Sequence, residues 1–197
     1  MCNPDRVLKV FVAVLGVFTG VASALAGGGN VLPASAHPKG YSLSDIAAAT
    51  AHYNTDQSST PPNVPFQILV GDATVTPGTM FYLPIFFADD SPPVAPGFPT
   101  DISDQEADAD YLYDQAGVDA FLVQVDDDIT VLDASYVRGV KTTPLPDGGG
   151  TQYIVSAAFL TPLTPGKHTV GIGGLVDTGT DDEDEPVVFV SYNVTVK

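Results

Sequence analysis

The sequence predicts a mainly β domain in which two antiparallel sheets pack face to face, with a short N-terminal helix and one short acidic helix inserted between strands. Short apolar runs recur with turn residues between them, and the chain has no βαβ alternation. The last strand alternates between apolar and polar positions, which is typical of a half-buried strand. Its predicted inward positions are Val188, Val190, Tyr192, Val194 and Val196.

The first 26 residues have the features of a cleaved export signal. Arg6 and Lys9 precede an apolar run from Val10 to Leu25, and Ala24–Ala26 supplies small residues one and three positions before the cut. The tripeptide 34–36 repeats this pattern, so cleavage after Ala36 is the alternative. A membrane anchor is disfavoured because the run is shorter than the roughly 20 residues that a bilayer span needs. We therefore expect a secreted or periplasmic protein that leaves the membrane after cleavage.

The charge balance restricts the possible partners. The chain has 7 Lys and Arg against 24 Asp and Glu, for a net charge of -17. Nucleic acid is an unsuitable partner, because binding to phosphates relies on basic side chains that displace counterions. The only cysteine, Cys2, lies in the signal, so the exported chain has neither a disulfide nor a thiol nucleophile.

The N-terminal part of the exported chain divides into two short segments. Residues 27–40 are rich in Gly, Ala and Pro without periodicity, which indicates a flexible lead-in. Residues 41–60 are predicted to form a helix and a linker. Within them, Ser42 and Asp45 have the spacing of a capping box, and apolar residues share one face between Tyr41 and Tyr53.

Residues 61–197 form the predicted sandwich. Val64–Val70 is the first predicted strand, and Thr79–Ala88 is the second. The second strand is apolar on both faces, so we expect it to be covered on both sides. Pro84 cannot donate a hydrogen bond to a neighbouring strand, which predicts an edge or a bulge there.

A proline-rich loop over Asp89–Ile102 leads to the inserted helix. Ser103 and Glu106 have capping-box spacing, and Gly117 marks the expected end of the helix. The turn Asp126–Asp128 then separates two of the later strands. The remaining predicted strands are Phe121–Val125, Ile129–Leu132, Tyr136–Lys141, Gln152–Leu160, His168–Ile172 and the last strand.

Four segments carry two resemblances. Leu163–Ile172, followed by Val190–Val196, resembles the last two strands of immunoglobulin-like and fibronectin type III-like domains of exported bacterial proteins. Pro38–Asp45 and Gly78–Pro93 resemble segments of uncharacterised secreted bacterial proteins. The resemblance implies an immunoglobulin-like β-sandwich, a fold that serves adhesion, scaffolding and ligand binding alike. The chain lacks the cysteine pair and the tryptophan of antibody domains.

No nucleophile motif, phosphate loop or zinc motif is present in the sequence. We therefore expect a noncatalytic binding or structural module whose partner is an unidentified protein or carbohydrate. The alternative is a carbohydrate-active enzyme or accessory domain. It would use Asp89 and Asp90 as paired carboxylates and the aromatic rings of Phe86, Phe87 and Phe98 as a sugar platform.

Acidic clusters are the candidate sites for Ca²⁺, which binds carboxylate and carbonyl oxygens. Three clusters have short spacing: Asp104, Glu106, Asp108 and Asp110; Asp126–Asp128; and Asp181, Asp182, Glu183, Asp184 and Glu185. The third is the preferred candidate, because five adjacent carboxylates repel one another unless a cation or full solvation relieves them. The alternative is that all three clusters are solvated charges.

Overall fold

The computed structural model describes residues 30–176 and 185–197. Its two α-helices are α1 (Leu43–Thr55) and α2 (Gln105–Ala116). The strands in these residues are β1 (Gln67–Ile68), β2 (Ala73–Val75), β3 (Phe81–Asp89), β4 (Ala120–Val125), β5 (Asp128–Leu132), β6 (Val137–Lys141), β7 (Gln152–Leu160), β8 (Gly166–Val176) and β9 (Glu185–Val196).

The strands form two sheets, as predicted for a mainly β sandwich. The first sheet has the order β1-β3-β7-β6 and the second has the order β2-β9-β8-β4-β5. The long strands pair antiparallel, but β1 runs parallel to β3 and β2 runs parallel to β9. The prediction of purely antiparallel sheets is therefore wrong for these two short strands. The predicted strand Val64–Val70 is reduced to the two residues of β1, because the chain then crosses to the other sheet and forms β2.

The space between the sheets is filled by one apolar cluster. Phe81 and Leu83 of the first sheet and Phe121 and Val123 of the second are at most 1% exposed. Phe86 of β3 stacks on Phe121 with ring centroids 5.6 Å apart. Phe121, Val123 and Val125 of β4 all belong to this cluster between the sheets.

A second apolar cluster lies on the outer face of the first sheet, beneath α1. The predicted helix is present, and Ser42 and Asp45 form the expected capping box. Leu43, Ile46 and Ala47 of α1 are at most 1% exposed. They pack in the same cluster as one face of β7, which consists of Tyr153, Val155, Ala157 and Phe159.

Polar groups reinforce this contact. The side-chain amide of Asn54 donates to the hydroxyl of Tyr153 at 2.9 Å, and both residues are buried. Residues 30–32 lie along the second half of β7, where the amide of Leu32 donates to the carbonyl of Phe159 at 2.9 Å. The first sheet is thus covered by α1 and extended by the segment that precedes it.

β3 is buried on both faces in its first half, as predicted. Its register with β7 shifts between Pro84 and Phe86, so the bulge expected at this proline is present. Pro84 also lies beyond the two residues that pair with β1. The missing amide hydrogen of Pro84 therefore faces no partner strand.

A second bulge corrects the predicted face of Val188. Ile172 pairs with Val190, but Gly173 pairs with Val188, which leaves Phe189 without a register partner. Val188 lies 3.0 Å from where a Cβ of Gly171 would stand, on the face opposite Ile172. The extra residue reverses the alternation, so Val188 does not join the core that contains Val194 and Val196.

β8 continues past its predicted end because its glycines allow close approach by β9. A Cβ on Gly173 would lie 2.0 Å from the carbonyl oxygen of Val187. Only a residue without a side chain fits this position, and the strand therefore extends to Val176.

Candidate functional site

The inserted helix α2 connects β3 of the first sheet to β4 of the second and contains four acidic residues. Asp104 is its N-cap residue and accepts a hydrogen bond from the amide of Ala107 at 3.2 Å. The predicted cap at Ser103 is wrong, because the Ser103 amide and hydroxyl both donate to Asp101. Gly117 ends the helix in a left-handed conformation, as expected.

Three exposed carboxylates follow the outer face of α2 at intervals of four residues. They belong to Glu106, Asp110 and Asp114. Like charges at this spacing destabilise a helix slightly. No Lys or Arg occurs between Lys39 and Arg138, a stretch that holds 16 of the 24 acidic residues. The outer face of α2 is therefore negatively charged and would repel polyanions.

The inner face of α2 contains one buried carboxylate. Asp108 is 0% exposed, and neither carboxylate oxygen has a hydrogen-bond partner. Burial raises the pKa of Asp108 to about 6, and the neighbouring charges of Asp104 and Asp101 add to the effect. A raised pKa at a buried acid is a feature that both functional and structural sites share.

The tight turn between β4 and β5 holds the one ion pair between described residues. The Nδ1 atom of His168 lies 2.8 Å from Oδ2 of Asp126, and Nε2 lies 2.9 Å from the carbonyl of Thr164. The amide of Thr169 donates to Oδ1 of Asp126. His168 is therefore a hydrogen-bonded structural residue and not an exposed base.

This ion pair also shifts the pKa values of both side chains. The hydrogen bond to Asp126 raises the pKa of His168, together with the Thr164 carbonyl and against partial burial. Burial tends to raise the pKa of Asp126, but the bonds from His168 and Thr169 outweigh it and lower the pKa. Sequence spacing could not reveal this pair, because the two residues are 42 positions apart and meet only through sheet pairing.

The predicted sugar platform is not assembled. Phe86 packs inside the sandwich against Phe121, whereas Phe87 lies on the outer face against Tyr153 at 5.5 Å. Phe98 packs edge-on against Tyr111 at 5.5 Å. The three rings thus have separate partners and do not form one surface.

Asp89 and Asp90, the paired carboxylates of the alternative function, also have separate hydrogen-bond partners. Oδ1 of Asp90 accepts from the amides of Thr151 and Gln152 at 2.6 and 2.8 Å, which fixes the start of β7. Oδ1 of Asp89 accepts from the amide of Ser91 at 2.8 Å. Burial raises the pKa of Asp89, and the charges of Asp147 and Asp90 raise it further, against hydrogen bonds from Ser91.

The candidate metal ligands that belong to the described residues do not converge on one point. Asp104 caps α2, Glu106 and Asp110 are exposed, and Asp108 is buried. Of the preferred cluster, residues 181–184 lie outside the described residues, and Glu185 is the exposed first residue of β9. Among the described residues, no group of three or more His, Cys, Asp or Glu is arranged to hold a metal ion.

The surface of the described residues includes two depressions of similar volume. One of about 350 Å³ lies beside Lys39 and Phe66, and the other, of about 360 Å³, lies beside Lys141 and Gln152. In the first, the ammonium group of Lys39 is already bonded to the carbonyl of Pro65 at 2.6 Å. Neither depression brings together groups that would perform acid, base or nucleophilic chemistry.

No protein-family model, curated protein or solved structure matches this chain. Among the described residues, no helix is long and apolar enough to cross a membrane.

Proposed function

We propose that this chain is an exported, noncatalytic binding or structural module built on an immunoglobulin-like sandwich. The observation that carries the proposal is the order of strands in the two sheets. Immunoglobulin domains place strands A, B, E and D in one sheet and strands C, F and G in the other. The orders β1-β3-β7-β6 and β9-β8-β4 follow the same pattern along the chain.

The flanking strands fit the same arrangement. β5 lies beside β4 in the place of strand C′ of variable-type domains. β1 and β2 together take the place of strand A, with β1 in the first sheet and β2 in the second. The parallel pairing of β1 with β3, the helix α2 between β3 and β4, and the absence of a cysteine pair are departures from antibody domains.

The acidic surface supports binding to a protein or carbohydrate in preference to nucleic acid. The outer face of α2 presents the carboxylates of Glu106, Asp110 and Asp114, and no Lys or Arg lies between Lys39 and Arg138 in the sequence. Phosphates would be repelled there, whereas a basic protein surface would be attracted at long range.

Export rests on the residues before the domain. The basic start, the apolar run and the small residues at Ala24–Ala26 support a signal peptide. The alternative, a carbohydrate-active enzyme or accessory domain, gains no support from the separate partners of Asp89, Asp90 and the three Phe rings.

The test is to express the full chain with a C-terminal tag in a bacterial host and to determine the mass and location of the product. We expect a product that begins at residue 27 in the periplasm or the medium. Replacing Leu15 and Val17 with charged residues should retain the uncleaved chain in the cytoplasm. A wild-type product that stays cytoplasmic and begins at Met1 would contradict the proposal.

A further inference from the structure

We propose that Asp108 is a proton-controlled latch that fastens α2 across the open side of the sandwich. In this mechanism the protonated side chain donates a hydrogen bond to the carbonyl oxygen of Ile102. Loss of the proton leaves two facing acceptors and a buried charge, which weakens the attachment of the helix.

The latch would hold α2 against the edge strands β6 and β5, which the helix contacts. β6 and β5 are edge strands of their sheets, and because only residues 133–136 connect them, these two edges lie on the same side of the sandwich. The side-chain amide of Gln105 donates to the carbonyl of Val137 in β6 at 2.7 Å, and the hydroxyl of Tyr113 donates to the carbonyl of Leu132 in β5 at 3.5 Å. Leu112, between these contacts, is 0% exposed. α2 therefore bridges both edges and covers core that would otherwise face water.

Asp108 lies at the first of these edges. Its Oδ2 atom and the carbonyl oxygen of Ile102 would lie 2.6 and 2.1 Å from a Cβ on Gly139 of β6. The two oxygens thus face the same point above the glycine, and the glycine makes room for both. A carboxylate there can only accept, whereas a carboxylic acid can donate to the carbonyl. Neither oxygen of Asp108 has another partner.

No positively charged side chain is paired with Asp108 among the described residues, so its charge is neutralised by protonation. Asp104 on α2 and Asp101 in the preceding loop are negative and oppose its ionisation. On β6, Arg138 donates to the carbonyls of Ser135, Val137 and Ala34, and it belongs to the face opposite Gly139. Lys141 is exposed. The remaining titratable groups on packed elements carry no positive charge: Tyr82 and Asp89 on β3, Tyr153 on β7, and Asp133 and Tyr136 beside β6.

The direction of the pH effect follows from the sign of the shift. The pKa of Asp108 is raised to about 6 in the folded protein, above the ordinary value of 3.8 for an aspartate side chain. The folded state therefore binds this proton more tightly than the unfolded chain does. The contribution of Asp108 to stability is greatest below the unfolded pKa and is lost as the pH rises through the folded pKa. This is opposite to the behaviour of a carboxylate that is paired in the folded state.

The test is the melting temperature of the exported chain from about pH 4 to pH 8 for the wild type, Asp108→Asn and Asp110→Asn. Asparagine has the shape of the protonated acid and can donate to Ile102. Asp108→Asn should raise the melting temperature at pH 7.5 by about 3 °C or more, and the gain should shrink towards pH 4. Asp110→Asn removes an exposed charge from the same helix without touching Gly139, and it should not reproduce this pH-dependent gain.

A melting temperature of Asp108→Asn that equals or falls below the wild type at pH 7.5 would overturn the proposal, as would parallel curves for the two proteins. If the variant does not fold, the carboxyl carbon of Asp108 can be titrated by NMR in the wild type. A midpoint above about pH 5 would support the latch, and a midpoint near that of a free aspartate would refute it.

Discussion

His168 and Asp126 join the end of one hairpin to the start of another strand. The ring of His168 bonds to Asp126 through Nδ1 and to the carbonyl of Thr164 through Nε2, so both ring nitrogens face acceptors. Only the protonated imidazole can donate from both nitrogens at once. The contact therefore couples the stability of this corner to pH.

We expect His168→Gln to destabilise the protein more at about pH 5.5 than at about pH 8.5. The pKa of His168 is raised, so its stabilising contribution is complete below the unfolded pKa and is lost as the pH rises through the folded pKa. The pair is partly exposed, and solvent screening keeps the effect small. Urea unfolding at both pH values measures it.

Asp126→Asn supplies the matched comparison for this contact. The double variant should lose no more pH-dependent stability than His168→Gln alone, because both changes remove the same ion pair. Equal destabilisation by His168→Gln at the two pH values would show that the pair does not titrate in this range.

Gly173→Ala tests the close approach of β9 to β8. The new methyl group would lie 2.0 Å from the carbonyl of Val187, so the strands would have to separate. We expect a loss of ~2 kcal/mol in the free energy of unfolding. Gly71→Ala is the control, because nothing lies within 4 Å of its added Cβ and the residue lies outside the strands. A Gly173→Ala variant as stable as this control would contradict the observed pairing.

Ile46→Ala tests whether α1 is part of the folded domain. The side chain of Ile46 is 0% exposed in the cluster on the outer face of the first sheet. Its truncation should cost about 3 kcal/mol and lower the cooperative melting transition of the whole domain. Tyr41→Ala, at an exposed position just before the helix, should have a much smaller effect. A separate early transition for α1, with the sheets unaffected, would show that the helix folds independently.

Calcium binding by Asp181–Glu185 remains a prediction from the sequence. If the five carboxylates hold Ca²⁺, several millimolar Ca²⁺ should raise the melting temperature relative to EDTA, because a ligand that binds only the folded state stabilises it. Replacing Asp182 and Asp184 with Asn should abolish the increase, whereas Asp127→Asn in another acidic turn should preserve it. An unchanged melting temperature in the wild type would refute the site.

Local patterns in the sequence predicted the elements whose structure depends on local residues. The capping box of Ser42 and Asp45 and the bulge near Pro84 both follow from chemistry within a few residues. The strand β2 could not be predicted in this way. It has three residues, and its pairing with β9 depends on a chain segment about 120 positions away.

The candidate site also combines features set by local sequence with features set by distant contacts. The acidic character of α2 is evident from composition, but the burial of Asp108 depends on the approach of Gly139 and Ile102. Likewise, the register shift at Phe189 moved Val188 from the predicted core to the other face. A helical wheel or a strand alternation cannot supply either contact, because each requires a partner from a distant part of the chain.

The measurement that tests the sandwich most directly is a disulfide between β2 and β9. Thr74 and Thr195 are register partners in the parallel pair, and the exported chain has no cysteine of its own if the signal is cleaved. In the Thr74→Cys, Thr195→Cys variant, mild oxidation should form an intramolecular disulfide in the folded protein without loss of its circular dichroism spectrum. Thr74→Cys with Thr169→Cys is the control, because Thr169 lies on β8, beyond β9. A disulfide in the first variant and none in the control would support the proposed immunoglobulin-like strand order, and rapid oxidation of the control alone would contradict it.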